Sequence, residues 1–250
     1  MTEGVVRVDD TVRRPTKPSS PAVHALLRHL EAAGFDRAPR FLGIDDRGRE
    51  ILSYLPGQAA TRPLPVFAVA DEALTDLAVL VRRFHDAVRT FVPPPGAVWE
   101  RGSADDAEPE LVGHCDITPE NVIFRGKRPW GLIDFDMARP TTRLFDIVTA
   151  LRHWAPIADP VDRDPLQRRL DVGARLRLFC DAYGVSARDR RRLLELSRLR
   201  FDRSYVAMRN RAARDGGGWA RMWRDGAGER IRRAAAWLDA NWDELDAHLH

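Results

Sequence analysis

The chain has 250 residues, 44% of them hydrophobic and 31% charged, which fits a globular protein with a buried core and excludes a disordered or fibrous one. Its net charge of +3 comes from arginines interleaved with acids, as in Arg188-Asp189-Arg190-Arg191-Arg192. Without an aromatic-basic signature such runs read as solvated helix faces, and no nucleic-acid partner is expected.

In chain order, residues 5–8 and 11–14 flank the turn-prone pair Asp9-Asp10 and predict a small hairpin. Pro15 and Pro18 break the chain before a helix over 20–33, with Ser20 as its cap and Pro21 at its first position. Val23, Leu26, Leu27 and Leu30 recur at helical spacing there, and Gly34 ends the run. Residues 40–44 and 50–54 flank Asp45-Asp46-Arg47-Gly48 and predict a second hairpin, closed by Pro56-Gly57. From Pro65, apolar residues every three or four positions as far as Phe91 predict one long helix, stopped by Pro93-Pro94-Pro95-Gly96. The acidic stretch 100–110 reads as a loop. Further helices are expected over 144–154, 165–183, 187–213 and 227–248, separated by Gly184, Gly216-Gly217-Gly218 and Gly226/Gly228.

The start of the chain has no apolar run of signal-peptide length. The most apolar segment, 64–91, is interrupted by Asp71, Glu72, Asp76, Arg82 and Arg83 and cannot span a bilayer. A cytoplasmic location is expected. Cys115 and Cys180 are the only cysteines; they lack metal-ligand spacing, and a disulfide is not expected in a reducing compartment. Free Cys115 reads as a small packed residue.

Chemistry concentrates in His114-Cys115-Asp116-Ile117-Thr118-Pro119-Glu120-Asn121 and in Ile133-Asp134-Phe135-Asp136. Residues 122–124 and 130–135 are β-prone and flank the turn material Arg125-Gly126-Lys127-Arg128-Pro129. In such a hairpin Asn121 enters and Asp134 leaves at one end, and paired strands lie about 4.8 Å apart. Their oxygens are thus placed to converge on a hard cation such as Mg²⁺, with Asp116 in the loop feeding the same end. The spacing His-x-Asp-x-x-x-x-Asn followed by a strand-end Asp matches a kinase catalytic loop, in which a carboxylate orients the attacking hydroxyl and metal neutralises the transferred group.

On these residues the chain resembles the aminoglycoside phosphotransferase and choline-kinase-like superfamily, over nearly its whole length, and in particular phosphotransferases of actinobacterial type. The resemblance implies a protein-kinase-like α+β fold. A small, reduced, strand-rich nucleotide lobe would span 1–56 and a helical lobe 57–250. It also implies Asp116 as catalytic base, Asn121 and Asp134 as metal ligands, and His114 as a brace of the catalytic loop. Asp146 would anchor that loop from behind. Asp136 is a second metal ligand or a helix cap, and His85 a core or loop-bracing histidine. ATP, or another nucleoside triphosphate, and Mg²⁺ are the implied cofactors.

Thr118 stands where Ser/Thr protein kinases carry Lys, and Asp134 and Asp146 leave no room for a long activation segment. A small hydroxylated acceptor, held by helices beyond residue 160, is therefore expected. An aminoglycoside-like acceptor would need an acidic pocket, for which Asp239, Asp243, Glu244 and Asp246 are the candidates; a solvated helix face is the other reading.

The nucleotide lobe departs from the family pattern. There is no G-x-G-x-x-G, and Lys17 and Lys127 are the only lysines. Val12-Arg13-Arg14 occupies the strand of the usual lysine, and alternation puts Arg14 on the apolar side with Val12. Arg14, with Ser53, Tyr54 and Leu55, is expected to contact the nucleotide. The usual partner Glu falls near Val23 and His24, neither of them acidic. Two function classes follow: an ATP-dependent O-phosphotransferase, or a degenerate kinase-like protein that binds nucleotide or ligand without transfer.

Overall fold

Both expected hairpins form, and they join into a single antiparallel sheet. In the computed structural model, which describes residues 4–250, β1 (Val6–Val8) pairs with β2 (Thr11–Pro15). β4 (Arg49–Ser53) pairs with both β2 and β3 (Phe41–Ile44), giving the order β1-β2-β4-β3. The expectation of no signal peptide and the start of the 1–56 lobe involve residues 1–3, which lie outside the described residues. The register sets Val12 opposite Leu52 and Arg14 opposite Glu50.

Helix α1 (Ser20–Ala32) covers this region and buries Val23, Leu26, Leu27 and Leu30. Its cap position is Ser19, not Ser20; the Ser20 hydroxyl accepts from the Lys17 N–H instead, at 2.9 Å.

The chain leaves the sheet through Leu55-Pro56-Gly57 and at once forms β5 (Gln58–Ala59). Gly57 has φ +145°, and a Cβ there would lie 2.5 Å from both Ile123 Cγ2 and the Phe124 carbonyl. Glycine is what lets β5 lie on β7 (Val122–Arg125), which in turn pairs with β8 (Arg128–Leu132).

The long helix expected over 65–91 is two helices, α2 (Val66–Val69) and α3 (Asp71–Val88). Ala70 between them is extended. Arg175 bridges the break, donating to the Val69 carbonyl at 3.0 Å and to Asp71 at 2.7 Å. Asp71 and Glu72 then open α3 with the charge that a helix N-terminus favours.

The region 165–183 is likewise divided. Residues Pro165–Gln167 form one tight turn, and α5 (Val172–Tyr183) begins after Asp171, whose carboxylate caps the Ala174 N–H at 2.9 Å. α6 (Ala187–Asp215) is capped by Ser186 and α8 (Ala227–Ala240) precedes α9 (Trp242–Ala247). Between them α7 (Gly217–Arg224) occupies the glycine run that read as a separator. Its Trp223 ring meets Tyr205 of α6 edge-on at 5.2 Å, and Arg211 stacks on its Trp219 at 4.3 Å. Packing here overrides the poor helix propensity of glycine.

Helices α3, α4 (Arg143–Trp154) and α5 enclose the main core, with Leu77, Phe84, Phe145, Leu151, Trp154, Leu176 and Phe179 all buried. Each such side chain contributes about 1.5–3 kcal/mol relative to exposure. Among the described residues no helix is long and apolar enough to cross a membrane.

Candidate active site

Strand β6 (Leu111–Gly113) delivers the chain to His114, held in place by β9 (Arg139–Thr141). Gly113 is bare because a Cβ there would lie 2.9 Å from the Asp146 carboxylate. That carboxylate, fully buried in the first turn of α4, accepts from the His114 N–H at 2.9 Å and the Cys115 N–H at 2.7 Å. These bonds fix Cys115 in the left-handed region at φ +59°, a conformation costly for a side-chain-bearing residue. Asp146 thus occupies the anchoring position that the sequence suggested.

Behind Asp146 runs a second tier. His85 Nε2 lies 3.0 Å from Asp146 Oδ2 and its Nδ1 lies 2.8 Å from the Tyr183 hydroxyl. Arg143 donates to that hydroxyl at 3.3 Å. The tyrosine proton therefore points at Nδ1, and the histidine presents Nε2–H to Asp146. Burial alone would raise the Asp146 pKa; the hydrogen bond from the His85 ring, the neighbouring His114 ring and the Cys115 N–H hold it below the usual range. His85 is a buried loop brace. Tyr183 escaped the sequence reading, because nothing local to a tyrosine 98 positions from His85 signals the contact.

Asn121 closes a tight turn, Pro119–Asn121, and its side-chain N–H₂ donates to both the Asp116 carbonyl and carboxylate, each at 2.9 Å. The Ile133 N–H donates to the Asn121 carbonyl at 2.9 Å, tying the two ends of the hairpin. Asp134 follows at φ +62°. Asp116, Asn121 and Asp134 thus stand around one end of β7 and β8.

Burial, and then the neighbouring Asp134 charge, push the Asp116 pKa up to about 7, against the opposing pull of Arg200 and Asn121. His114 is fully buried, with Nε2 2.9 Å from the Ile133 carbonyl and Nδ1 without a partner. Burial lowers its pKa, so it is a neutral imidazole whose Nε2–H donates to the Ile133 carbonyl and ties the loop to the end of β8. The Cys115 thiol is buried and its pKa strongly raised, which disfavours the nucleophilic thiolate.

Arg14 points into the cleft. Its guanidinium donates to Glu50 at 2.7 Å and to Asp134 at 3.0 Å, and pairs with Asp136 at 2.6 Å. Burial pulls its pKa down, but Asp136, Glu50 and Asp134 outweigh burial and the net shift is upward. Arg13 turns the other way, 3.6 Å from Asp45. The acidic partner of the cation is therefore Glu50 on β4, not a residue early on α1. His24 occupies the α1 position and closes the set, 2.6 Å from Glu50. A signal for Glu50 existed: it shares strand parity with buried Leu52.

Both Asp136 oxygens are held by cations, Arg14 and Lys17. Among the described residues the carbonyl oxygen of the Asn121 side chain and Asp134 Oδ2 make no such bonds. Leu55, Tyr54 and Ser53 line a cavity of about 210 Å³ whose other walls include Val12, Ile123, Ile133, Arg14 and Asp134. It is an apolar slot with a charged end. The C-terminal acids lie outside this cavity. Asp239 pairs with Arg198 on an exposed face, Asp246 pairs with His250, and Asp243 and Glu244 are exposed.

Residues 97–194 match the model of the phosphotransferase enzyme family. The chain is 35% identical over 196 residues to the trifolitoxin immunity protein of Rhizobium leguminosarum bv. trifolii, covering 74% of this chain and 72% of that one. It is 29% identical over 172 residues to the homoserine kinase of Phenylobacterium zucineum, covering 54% of this chain and 52% of that one, so it spans about half the length of that kinase. The fold is similar to that of an amicoumacin kinase solved with AMP-PNP and Ca²⁺, with TM-score 0.63 and 12% identity, covering 96% of this chain and 89% of the other.

Proposed function

The chain belongs to the phosphotransferase enzyme family, and from that premise we propose that it moves the γ-phosphoryl group of ATP onto an alcohol oxygen of a small molecule. That it is a small-molecule phosphotransferase follows from the family and from the homoserine kinases among its relatives. The observation that carries the finer reading is the convergence of Asp116, Asn121 and Asp134 at one hairpin end.

Residues 1–56 form the nucleotide lobe in this reading, and 57–250 the lobe that holds the acceptor. The adenine enters the apolar slot beside Ser53, Tyr54 and Leu55, and the triphosphate runs toward Arg14. Arg14 offers the phosphates a planar fork of donors, held in orientation by Glu50, which His24 buttresses. The Asn121 amide oxygen and Asp134 Oδ2 suit a hard cation that takes its remaining ligands from phosphates and water. A magnesium ion held there supplies charge neutralisation to the transferred group. Asp136, with both oxygens occupied by Arg14 and Lys17, positions those cations rather than the metal.

Asp116 accepts a hydrogen bond from the acceptor hydroxyl. As the acceptor oxygen bonds to the γ-phosphorus and the bond to the departing ADP oxygen breaks, the hydroxyl proton passes to the Asp116 carboxylate. Asn121 fixes that carboxylate through its amide, and the Asp146–His85–Tyr183 tier fixes the backbone beneath it.

The test is transfer of label from γ-labelled ATP, with Mg²⁺, across a panel of hydroxylated metabolites. Label should move to at least one acceptor with wild-type protein and about 10²–10⁴-fold more slowly with Asp116→Asn. Nucleotide binding without any transfer across a broad panel would overturn the reading.

A further inference from the structure

Beside the loop that carries Asp116, the end of α4 and the middle of α6 meet in a group of arginines. Trp154 at the end of α4 donates from its indole N–H to the Ile117 carbonyl at 2.8 Å, which sets that end of the helix beside Asp116. One turn earlier, the Thr149 hydroxyl accepts from Arg200 of α6 at 3.1 Å. Arg152, three residues on, stacks over Phe201 at 5.4 Å. The Arg139 guanidinium, just after the Asp134–Asp136 loop, bonds among the described residues to the Ser103 and Met137 carbonyls.

Many arginines of the chain pair with acids, as in Arg198–Asp239, Arg233–Asp162 and Arg128–Asp76. Arg139, Arg152 and Arg200 do not: among the described residues none of them lies within 4.0 Å of a carboxylate. Arg152 and Arg200 are half-buried, and Arg139 is buried. Burial, and then the charge of Arg200, depress the Arg152 pKa to about 9. Burial likewise depresses Arg200 to about 10, with Arg139 adding to the effect and Asp116 opposing it. Half-buried positive charge with no carboxylate in ion-pair contact is costly, and a bound anion lowers that cost.

We infer that Arg152 and Arg200 form an anion subsite for the acceptor, so that the alcohol phosphorylated here carries a carboxylate or phosphate group and is not a polycation. The geometry is consistent throughout. Asp116 receives the hydroxyl proton while the acid group of the same molecule lies against α4 and α6, and an aminoglycoside or choline would meet like charge. This inference rests on the phosphotransferase reading for its word acceptor, but the subsite itself is testable without turnover.

The experiment is calorimetric titration of inorganic phosphate with the nucleotide site filled by AMP-PNP and Mg²⁺, so that Arg14 is already engaged. Wild type should bind. Arg152→Gln and Arg200→Gln should each weaken phosphate binding by about tenfold or more, the scale of one charge-assisted hydrogen bond. Arg152→Lys, which keeps the charge and the packing stem, should hold affinity within about threefold, and the exposed control Arg191→Gln within about twofold. Titration of AMP-PNP and Mg²⁺ alone should give nearly equal affinities in wild type and both Gln variants. In transfer assays D-glycerate should outcompete glycerol and choline.

Unchanged phosphate affinity in both Gln variants overturns the inference. So does an equal loss of AMP-PNP affinity, which would assign these arginines to the nucleotide phosphates, and so does preferential phosphorylation of choline. The expected pattern of phosphate binding with no transfer to any acceptor would support the subsite and count against phosphoryl transfer alone.

Discussion

Arg14 Nη1 stands 3.0 Å from Asp134 Oδ1, joining the first sheet to the end of the β7–β8 hairpin across 120 positions of sequence. This contact gives the cation one of its carboxylate partners and half-satisfies the Asp134 carboxylate. Phosphate and metal entering between them would take over both roles. Arg14→Ala should therefore weaken ATP binding by about 1.5–3 kcal/mol, the scale of a hydrogen bond to a charged group. Arg13→Ala, on the opposite strand face beside Asp45, should change it little. Calorimetric titration of both variants decides the matter, and equal losses would show that the strand face does not select Arg14.

Asp134→Ala should remove most of the Mg²⁺-dependent part of the thermal stabilisation by ATP. A ligand that binds the folded state stabilises it by RT ln(1 + [L]/Kd), so weaker metal-dependent affinity reads directly as a smaller shift in Tm. An undiminished magnesium effect in the variant would remove Asp134 from the metal site.

Asp116→Asn should lower turnover by about 10²–10⁴-fold with nucleotide affinity nearly intact, because the amide keeps the shape but cannot take the proton. A stability signature accompanies it in the nucleotide-free protein. The folded pKa of about 7 lies above the unfolded value of about 3.9. The folded state therefore binds the extra proton between these values, and the wild type loses stability as pH rises through that window. The cost is complete above pH 7 and amounts to at most about 4 kcal/mol, at 1.36 kcal/mol per pH unit. Asp116→Asn should accordingly raise Tm over wild type at pH 8 and do so much less at pH 4. A constant Tm difference across that range would contradict the raised pKa.

Asp146→Ala should destabilise the fold by about 3–5 kcal/mol, because it strands two buried backbone N–H groups and the His85 ring. Tyr183→Phe removes two hydrogen bonds of the outer tier, to His85 and from Arg143, and should cost less, about 1–3 kcal/mol. Denaturant unfolding of both variants tests this order. A Tyr183→Phe variant as unstable as Asp146→Ala would mean that the outer tier, not the carboxylate, holds the loop.

Much of the site was written locally. The spacing from His114 to Asn121, the β-prone runs on either side of Arg125–Pro129 and the parity of Val12 with Arg14 are short-range patterns, and chain geometry alone turns them into a hairpin end and a cleft-facing cation. What local pattern does not contain is the partner of each group. Glu50 reaches Arg14 through the β2–β4 register, and Tyr183 reaches His85 through the packing of α5 on α3. The break at Ala70 is satisfied by Arg175, 106 positions from Val69, and α7 exists because its aromatic rings find α6 despite the glycines that open it. The composition shows forty basic residues as a nearly balanced surface. Only the crossing of α4 and α6 leaves Arg152 and Arg200 without acids beside Asp116, because charge pairing depends on which faces tertiary packing brings together.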